Sequence, residues 1–592
     1  MKKRIADIIM ETLVEQGITD CFAIVGGGAM HLDHALALND DIHKYFNHHE
    51  QACSMAAEAY ARYSGRMAAV CVTSGPGATN AITGVMGAWQ DSLPMIVLSG
   101  QVRYEISVEK SGLPLRYRGM QEFEIIPSVK NMTKYSKMLT EPLEVKAEVQ
   151  KAIKIAMDGR RGPVWLDIPL DIQNAIVEED DMICDTTEME KYEVSDDDIA
   201  YVWEELRQAK RPCILAGNGI ANTGNIKEFR QLCEKLQIPV IAAAIAGDVM
   251  YREHELYYGL SGSIGPRTGN FIVQNADTIL VIGCSLGFKM TGYAQEYFAP
   301  KAKIIAIDID ENEMSKPGVR VNKFIKCDLS DFIKTATIQA CKIPVDPAWI
   351  KYCNHLRERF SPFEPGENLP ETERVCAYYF WKKYDEYETD DSISILGNNT
   401  ANSAKLQIGI NKEGQRIIAN NNCGAMGADL PEAIGAAVAA KRTVVCVTGD
   451  GSIMMNLQEL QTIRHNNLPV KIIIFSNEGY NAFRQTAKKF FDGMLVGCSK
   501  ESGISFPQFE DVAKTFGFIY HHCKCNGEVA ESLEWLWRTD EPAILEIDQR
   551  LDDPVTPSII TRILEDGTMA TPAIQDMYPF LDKGEYDKLM LW

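Results

Sequence analysis

Long apolar runs are absent from this chain of 592 residues. No stretch approaches the ~20 consecutive apolar residues that a transmembrane helix needs, so we expect no membrane partner. Residues 1–16 open with basic side chains, but Asp7 and Glu11 interrupt any signal-peptide core. The apolar positions of this segment recur at helical spacing instead. We therefore predict a first helix there and a cytoplasmic location.

Positive charge is scarce relative to negative charge. The chain has 60 Lys and Arg residues against 82 Asp and Glu residues, which gives a net charge of −22. A surface this acidic repels phosphate backbones, so nucleic acid is excluded as a partner. The same charge keeps a large protein soluble.

Paired metal-binding motifs are also lacking. The run HHCKC at residues 521–525 contains ligand-type side chains, but no second Cys/His pair stands at zinc-finger spacing. A structural zinc ion needs four ligands, which disfavours a zinc site there. The 16 cysteines mostly stand alone within apolar runs. They are typical of buried thiols in a reducing cytosol.

Apolar strands that alternate with helical patterns dominate the rest of the chain. Runs such as MAAVCVTSG and TVVCVTGDG end in glycine-rich turns, and helical segments follow them. This pattern indicates parallel sheets covered on both faces. We predict an α/β fold with three doubly wound parallel-sheet domains, whose ligands bind beyond the carboxyl ends of the strands. The predicted domains span residues 1–180, 195–345 and 370–560, with an acidic linker at 178–198 and a C-terminal tail at 561–592.

Polar side chains follow two neighbouring strands of the predicted third domain. A buried strand at 443–448 runs into the turn GDGS, and the strand at 471–475 ends at Ser476-Asn477. Because the carboxyl ends of parallel strands meet at one edge, these groups should lie close together. Glycines beside Asp450 allow backbone amides to approach a diphosphate. The Asp450 carboxylate and the Asn477 amide oxygen are the hard ligands that Mg²⁺ prefers.

This arrangement resembles the thiamine-diphosphate enzymes, whose diphosphate motif starts at GDG and ends in an asparagine after the next strand. The resemblance implies that Mg²⁺ is held by the side chains of Asp450 and Asn477 and the backbone carbonyl of Gly479. Upstream, CGAMGADLPEAIGA is similar to the family segment that contacts the cofactor's amino group and holds its two rings bent. By this likeness Gly424 is the amino-group partner and Met426 the apolar wedge.

The N-terminal segment NHHEQACSMAAEAYAR carries a second resemblance. Glu50 alone is also explained as a helix N-terminal residue that interacts with the helix dipole. In the family, the matching glutamate hydrogen-bonds the aminopyrimidine and promotes deprotonation of thiazolium C2, while His48 and His49 would support the turn. The resemblance assigns catalytic roles to Glu50, Gln121, Gly27, Gly28 and Ala29. It assigns cofactor contacts to Glu50, Asn398, Asn399, Thr400, Gly424, Met426, Gly449, Gly451 and Ser452, although an asparagine-rich turn without a ligand also explains residues 398–400.

Within this superfamily, residues 1–550 are most similar to the catalytic subunits of acetolactate (acetohydroxyacid) synthases. In these synthases the cofactor lies between the first domain of one subunit and the third domain of another, which implies a homodimer or homotetramer. Their central domain holds FAD. Residues 259–270 resemble its flavin-contacting segment, with Arg267 retained, whereas 283–292 lack the family's arginine-rich pattern. FAD therefore stays open, as does an adenine or ribose contact for Asp308 and Asp310.

The substrate-facing positions depart from the synthase pattern. Thr486 stands where the synthases have tryptophan, and Phe483 lies beside it on the same segment. A pocket lined in this way would be roomier and more polar. We expect a thiamine-diphosphate- and Mg²⁺-dependent carboligase that decarboxylates a 2-keto acid, with pyruvate as the expected donor, and transfers the two-carbon unit to a carbonyl acceptor. The alternatives are a keto-sugar nucleotide acceptor, a simple 2-keto-acid decarboxylase, or a non-catalytic protein of this fold, which Glu50, Asp450 and Asn477 together disfavour.

Overall fold

The computed structural model describes residues 1–563 and 568–592. Residues 564–567 of the predicted tail lie outside the described part. Three six-stranded parallel sheets follow one another along the chain, each flanked by helices. This confirms the predicted α/β class with three doubly wound parallel sheets.

The first sheet has the strand order β3-β2-β4-β5-β7-β6. A separate antiparallel pair, β1 with β8, joins Lys2–Arg4 to Ile176–Glu178, so the predicted first helix begins only at Ile5. The strands of this region are β1 (Lys2–Arg4), β2 (Asp20–Ala23), β3 (His43–Phe46), β4 (Ala69–Val72), β5 (Ile96–Gln101), β6 (Tyr135–Met138), β7 (Val164–Pro169) and β8 (Ile176–Glu178). The helices are α1 (Ile5–Glu15), α2 (Met30–Leu38), α3 (Glu50–Ser64), α4 (Pro76–Asn80), α5 (Ile82–Gln90), α6 (Val108–Ser111), α7 (Ile125–Val129), α8 (Val145–Met157) and α9 (Leu170–Asn174).

The middle sheet has the order β11-β10-β9-β12-β13-β14 and follows a segment, 182–195, without regular structure. Its strands are β9 (Pro212–Ala216), β10 (Val240–Ala243), β11 (Tyr257–Ser261), β12 (Thr278–Ile282), β13 (Lys303–Asp308) and β14 (Lys323–Lys326). The helices are α10 (Asp196–Gln208), α11 (Gly219–Asn222), α12 (Ile226–Leu236), α13 (Arg267–Asn275), α14 (Phe288–Thr291), α15 (Glu311–Ser315), α16 (Leu329–Gln339) and α17 (Pro347–Arg359).

The third sheet has the order β16-β15-β17-β18-β20-β19, and its pairs are parallel. Its strands are β15 (Ile393–Leu396), β16 (Arg416–Ala419), β17 (Val444–Gly449), β18 (Val470–Ser476), β19 (Ile519–Cys523) and β20 (Ala543–Asp548), and the short pair β21 (Arg562–Ile563) and β22 (Met569–Ala570) follows. The helices are α18 (Ala377–Tyr387), α19 (Thr400–Ile408), α20 (Asp429–Ala440), α21 (Asp450–Ile453), α22 (Glu459–His465), α23 (Asn481–Phe490), α24 (Phe509–Phe516), α25 (Val529–Arg538) and α26 (Lys583–Leu589).

The first and third sheets share one hydrophobic core, in which α3 packs against α20. Their backbones approach so closely that a Cβ on Gly435 would lie 1.9 Å from the carbonyl oxygen of Ala56. Glycine is therefore required at this crossing. The close packing fixes the start of α3, which carries Glu50, relative to the third domain.

The C-terminal segment binds the middle domain. Arg267 donates to the backbone carbonyls of Met577 and Pro579, and Asn275 donates to the carbonyl of Leu589. The tail is therefore a strap across α13. No helix in the described ranges is long and apolar enough to span a bilayer. All 16 cysteines are free, and 12 of them are buried, in agreement with the thiols expected from the sequence.

Candidate active site

Asp450 lies where β17 ends and α21 begins, and it is 3% exposed. Its carboxylate accepts the backbone N–H groups of Gly451 at 2.8 Å, Asn477 at 3.1 Å and Gly479 at 3.1 Å. The ends of β17 and β18 therefore meet, as the sequence predicts. Burial raises the pKa of Asp450 to about 6, and the backbone donors oppose this rise because they stabilise the ionised form.

Asn477 is 4% exposed, and its Nδ2 donates to Gln549 Oε1 at 3.0 Å. This bond fixes the orientation of the amide, and Oδ1 is left buried with no hydrogen-bond partner in the protein. An unpaired buried acceptor costs about 1–3 kcal/mol, which a cation bound at that atom would offset. The Asp450 carboxylate, the Asn477 amide oxygen and the Gly479 carbonyl form a set of oxygen ligands that fits Mg²⁺.

The glycines of this turn allow close approaches. A Cβ on Gly479, where φ is +144°, would lie 1.9 Å from the carbonyl oxygen of Cys498. A Cβ on Gly451 would lie 2.2 Å from the Tyr480 ring, and one on Gly449 would lie 3.2 Å from Asn399 Cβ. The chain can follow this path only with glycine at 451 and 479.

Asn399 caps α19 by accepting the backbone N–H of Asn402 at 2.9 Å, while its Nδ2 is buried without a partner. An unpaired donor beside the GDG turn fits a phosphate oxygen. Asn398 Nδ2 donates to the Gly424 carbonyl at 2.6 Å, and Thr400 Oγ1 accepts from Asn481 Nδ2 at 3.3 Å. Residues 398–400 thus tie three segments of the predicted site together.

Gly424, at φ +62°, has no atom within 4 Å of the position of a Cβ, so this turn faces open space. Met426 is half-buried beside it. Ser452 Oγ accepts the backbone N–H of Gly427 at 2.9 Å, which joins the GDGS turn to the turn of Gly424. The structure therefore brings the predicted diphosphate and pyrimidine segments of the third domain together.

The predicted catalytic residues of the first domain gather around the turn at 73–77. Glu50 begins α3 and accepts from Asn80 Nδ2 at 3.0 Å, and a Cβ on Gly77 would lie 3.4 Å from Glu50 Oε1. The exposed Gln121, at φ +60°, packs its carbonyl against the same turn, 2.2 Å from the position of a Cβ on Gly75.

Gly27, Gly28 and Ala29 form a 3-10 turn beside this group, in which Gly28 and Ala29 are buried. The Gly28 N–H donates to Thr73 Oγ1 at 3.0 Å, and the Gly28 carbonyl accepts from Gln173 Nε2 at 2.8 Å. These two bonds fix the backbone that, by the family resemblance, is expected near the reacting carbon.

Within one chain, the neighbour of Glu50, Gln51, accepts from Asn456 Nδ2 at 3.0 Å, but Glu50 itself does not reach the Asp450 turn through such a bond. In the described ranges, no hydrogen bond or ion pair connects Glu50 with Asp450 or Asn477. The start of α3 is instead tied to the third domain through Glu459, which accepts from Asn47 Nδ2 at 2.9 Å and from the His48 N–H at 3.0 Å. These bonds hold the start of α3 against α22 of the third domain.

Phe483 and Thr486 lie on α23, which follows the Asn477 loop. Phe483 is 39% exposed, and the Thr486 hydroxyl donates to the carbonyl of Ala482 at 3.1 Å. The Thr486 hydroxyl therefore bonds to its own helix, and this short side chain does not replace the bulk of a tryptophan.

Two residues that hold the loop of Asn477 were not predicted from the sequence. Gln549 orients Asn477, and the Arg484 guanidinium donates to the Asn477 carbonyl at 2.5 Å and the Leu551 carbonyl at 3.0 Å. Gln549 directly follows β20, so its place at the carboxyl end of a neighbouring strand is the signal that could have identified it.

A cavity of about 190 Å³ lies at the carboxyl ends of β9, β12 and β13, between the three domains. Arg160, Lys289 and Asp308 are among its lining residues. Asp310 instead accepts from Arg160 at 3.0 Å. Arg267, expected beside a flavin, is not part of this lining because its guanidinium binds the C-terminal strap.

The HHCKC run does not supply a cysteine–histidine cluster. His521 lies 3.1 Å from Ser532 Oγ, while His522 lies 3.0 Å from Asp548 Oδ1. Among the described residues, the one set of three potential metal ligands is His522, Glu546 and Asp548. Both Glu546 oxygens already accept hydrogen bonds, from Ser476 and Tyr520 hydroxyls.

Known proteins resemble the chain along its whole length. Residues 3–125, 199–335 and 396–547 match the N-terminal TPP binding, central and C-terminal TPP binding domains of the thiamine pyrophosphate enzymes. The probable acetolactate synthase large subunit of Methanococcus aeolicus is 30% identical, over 91% of each chain. The acetolactate synthase isozyme 1 large subunit of Escherichia coli is 29% identical, over 94% of this chain and 95% of its own. The probable large subunit of Methanocaldococcus jannaschii is 28% identical, over 99% and 98% respectively.

Proposed function

The chain belongs to the thiamine pyrophosphate enzyme family, as a thiamine-diphosphate-dependent transferase of the acetolactate synthase type, and we propose that it is an Mg²⁺-dependent carboligase that uses pyruvate as donor. It decarboxylates the keto acid and joins the remaining two-carbon unit to a carbonyl acceptor. The observation that supports this most is the buried Asp450 turn, beside which Asn477 Oδ1 has no partner in the protein.

Thiamine diphosphate, when bound, supplies the nucleophilic carbon and accepts the electron pair released by decarboxylation. Asp450, Asn477 and the Gly479 carbonyl would hold Mg²⁺ at the diphosphate. Asn399 Nδ2, which is buried without a partner in the protein, would donate to a phosphate oxygen. Gly449, Gly451 and Ser452 let the backbone come close, and Asn398, Thr400, Gly424 and Met426 shape the path between diphosphate and pyrimidine.

Glu50 moves the proton that starts the reaction. Its carboxyl group would give a proton to, and take it back from, the ring nitrogen of a bound aminopyrimidine, and Asn80 holds Oε2 in place by a hydrogen bond. Gln121 and the backbone of Gly27, Gly28 and Ala29 approach the reacting carbonyl and exclude water from it. Excluding water favours joining to a second carbonyl over release of free aldehyde.

The acceptor pocket distinguishes this chain from its relatives. The Thr486 hydroxyl bonds back to Ala482, and Phe483 is partly exposed, so neither of these two side chains closes this side. A bulky, polar carbonyl such as a keto-sugar nucleotide therefore fits better than a small apolar one. Pyruvate as acceptor, which gives acetolactate, is the simpler case.

The assembly is a homodimer or homotetramer in which the first domain of one subunit completes the site of another. The lack of a direct hydrogen bond or ion pair between Glu50 and the Asp450 turn, among the described residues of one chain, supports this arrangement. The functional domains are residues 1–180, 195–345 and 370–560, and the tail at 561–592 holds the middle domain. The cavity at Asp308 lies at the carboxyl ends of strands, where an adenine nucleotide would bind, and FAD is one candidate for it.

Product analysis tests the proposed reaction. The purified protein is incubated with thiamine diphosphate, Mg²⁺ and pyruvate, alone and with larger carbonyl acceptors, and products are identified by mass spectrometry. We expect a carbon–carbon-bonded hydroxyketone in a Mg²⁺-dependent yield. Free acetaldehyde as the sole product would mean a simple decarboxylase, and no pyruvate consumption would overturn the proposal. Thr486→Trp is the matched variant, and it should shift products towards small acceptors.

A further inference from the structure

Three consecutive asparagines, residues 420–422, form a turn after β16, and we name it the asparagine turn. It leads directly into residues 424–427, which the proposed function places against thiamine diphosphate through Gly424 and Met426. What holds the asparagine turn therefore sets the position of the cofactor segment.

Each asparagine of the turn is held by a side chain from another domain. Asn420 Nδ2 donates to Glu58 Oε2 at 3.2 Å, Asn422 Nδ2 donates to Asp91 Oδ1 at 2.5 Å, and Lys289 Nζ donates to the Asn421 carbonyl. Two of the anchors lie in the first domain and one in the middle domain. The third domain therefore does not fix this turn alone.

Arg62 connects the two carboxylates of the first domain. It is 5% exposed, and its NH2 group lies 2.6 Å from both Glu58 Oε1 and Asp91 Oδ2. Each carboxylate thus binds the arginine with one oxygen and an asparagine with the other. Such charge-assisted bonds in a buried site are short and directional, so Arg62 fixes the spacing between Asn420 and Asn422.

The anchored turn is continuous with the cofactor segment. The Gly424 N–H donates to the Asn420 carbonyl at 2.9 Å. At the other end, the Gly427 N–H donates to Ser452 Oγ at 2.9 Å, and its carbonyl accepts from Asn456 Nδ2 at 2.8 Å. Gly424 is thus bonded directly to the asparagine turn through its N–H and to Asn398 through its carbonyl, so a shift of the asparagine turn is transmitted to Gly424.

We propose that Arg62, Glu58 and Asp91 are positioning residues for thiamine diphosphate, which act through the asparagine turn without touching the cofactor. This inference rests on the proposed function. It explains why a buried ion group joins α3 to a turn of another domain, where apolar packing alone would suffice for stability.

Asn422 gives the mildest test because it is exposed on one side. Asn422→Asp places a second carboxylate against Asp91 and repels the turn. The double variant Asp91→Asn with Asn422→Asp reverses the pair and restores one amide–carboxylate bond, while position 91 keeps an oxygen for Arg62. Asn466→Asp is the matched control for the change of charge, since Asn466 Nδ2 donates to the Thr462 carbonyl of its own helix and to no residue of the asparagine turn.

Two readouts separate positioning from simple destabilisation. Calorimetry with Mg²⁺ measures the affinity for thiamine diphosphate, and hydrogen exchange of the cofactor-free protein measures protection of amides 420–427. We expect Asn422→Asp to lower affinity about tenfold, the size of one lost charge-assisted bond, and to lose protection in this segment with little change in melting temperature. The double variant should recover both.

Equal affinity and protection in wild type and Asn422→Asp would overturn the inference, as would a loss that the double variant does not recover. A similar loss in Asn466→Asp would mean a general charge effect and would also overturn it. Wild-type protein that binds no thiamine diphosphate would instead overturn the proposed function together with this inference. If Asn422→Asp lowers only the melting temperature, the ion group is structural and the inference is wrong.

Discussion

Single residues carry most of the chemistry proposed for this protein, and Glu50 is the sharpest case. Glu50→Gln keeps the size of the side chain and an oxygen that can accept from Asn80 Nδ2. The amide cannot exchange a proton, so we expect cofactor affinity near that of wild type and turnover lower by about 10²–10⁴. Hydrogen–deuterium exchange at thiazolium C2 measures the step directly, and unchanged exchange would contradict the role.

Asp450 and Asn477 lead to a prediction about the metal. Asp450→Asn removes the charge but keeps one oxygen, which can still accept the backbone N–H groups of Asn477 and Gly479. In the presence of Mg²⁺, we expect the affinity for thiamine diphosphate to fall at least tenfold, because the variant lacks a carboxylate ligand for the metal. Calorimetry with and without Mg²⁺ measures it. An affinity that responds to neither metal nor mutation would show that the turn is only structural.

Sequence reasoning reached these residues because their signal is local. Asp450 lies in a glycine-flanked turn after an apolar strand, and Asn477 ends the next strand, so both could be placed from the order of residues alone. The partners that orient them could not. Gln549 meets Asn477 across 72 positions, and the binding of Arg267 to the carbonyl of Met577 spans 310. Such contacts depend on packing that no local pattern encodes.

At the scale of elements, the continuously apolar strands were predictable and the edge strands were not. β4, β5, β17 and β18 are buried along their whole length and were predicted. β3, β6 and β19 lie at sheet edges with half-buried side chains. A strand of four or five residues with one solvent-exposed face has too few apolar positions to be distinguished from a loop by its sequence pattern.

The crossing of α3 and α20 gives the prediction at this scale. Gly435→Ala would place a Cβ 1.9 Å from the Ala56 carbonyl oxygen, which belongs to backbone and cannot rotate away. We expect a loss of about 1–3 kcal/mol in the free energy of unfolding.

Gly247→Ala is the control for this change, since its Cβ would have no neighbour closer than 3.7 Å and its φ of −67° suits alanine. Gly247→Ala should leave the free energy of unfolding unchanged. Thermal or denaturant unfolding compares the two, and equal stability would mean that the helices separate more easily than their packing indicates.

At the scale of the whole molecule, buried carboxyl groups couple stability to pH. Burial raises the pKa of Asp167 to about 7, although Ser99 and Gln101 donate to its oxygens. Because the folded state holds this proton more tightly than the unfolded state, the contribution of Asp167 to stability is complete near pH 4 and falls as pH rises to about 7.

Asp167→Asn should remove this dependence. The difference in the free energy of unfolding between the variant and wild type should rise, in favour of the variant, by at most about 1.4 kcal/mol per pH unit between pH 4 and 7. Above that range it should stay constant. Melting curves of both proteins from pH 4 to 9 provide the comparison. A stability difference that is constant across this range would show that Asp167 ionises normally in the folded protein.

The assembly has the most direct test, because the proposed site takes Glu50 from one subunit and Asp450 from another. Glu50→Gln and Asp450→Ala should each inactivate a homodimer. In a mixed dimer one site carries both changes, while the other joins an intact Glu50 to an intact Asp450. Random mixing by co-expression should therefore recover about one quarter of wild-type activity, since half of the dimers are mixed and each has one intact site.

Mixing Glu50→Gln with Glu50→Ala is the control, because neither chain offers an intact Glu50 and no activity should return. Recovery in the first mixture alone places the site between subunits, whereas its failure in verified mixed dimers would place Glu50 and Asp450 of one chain in the same site.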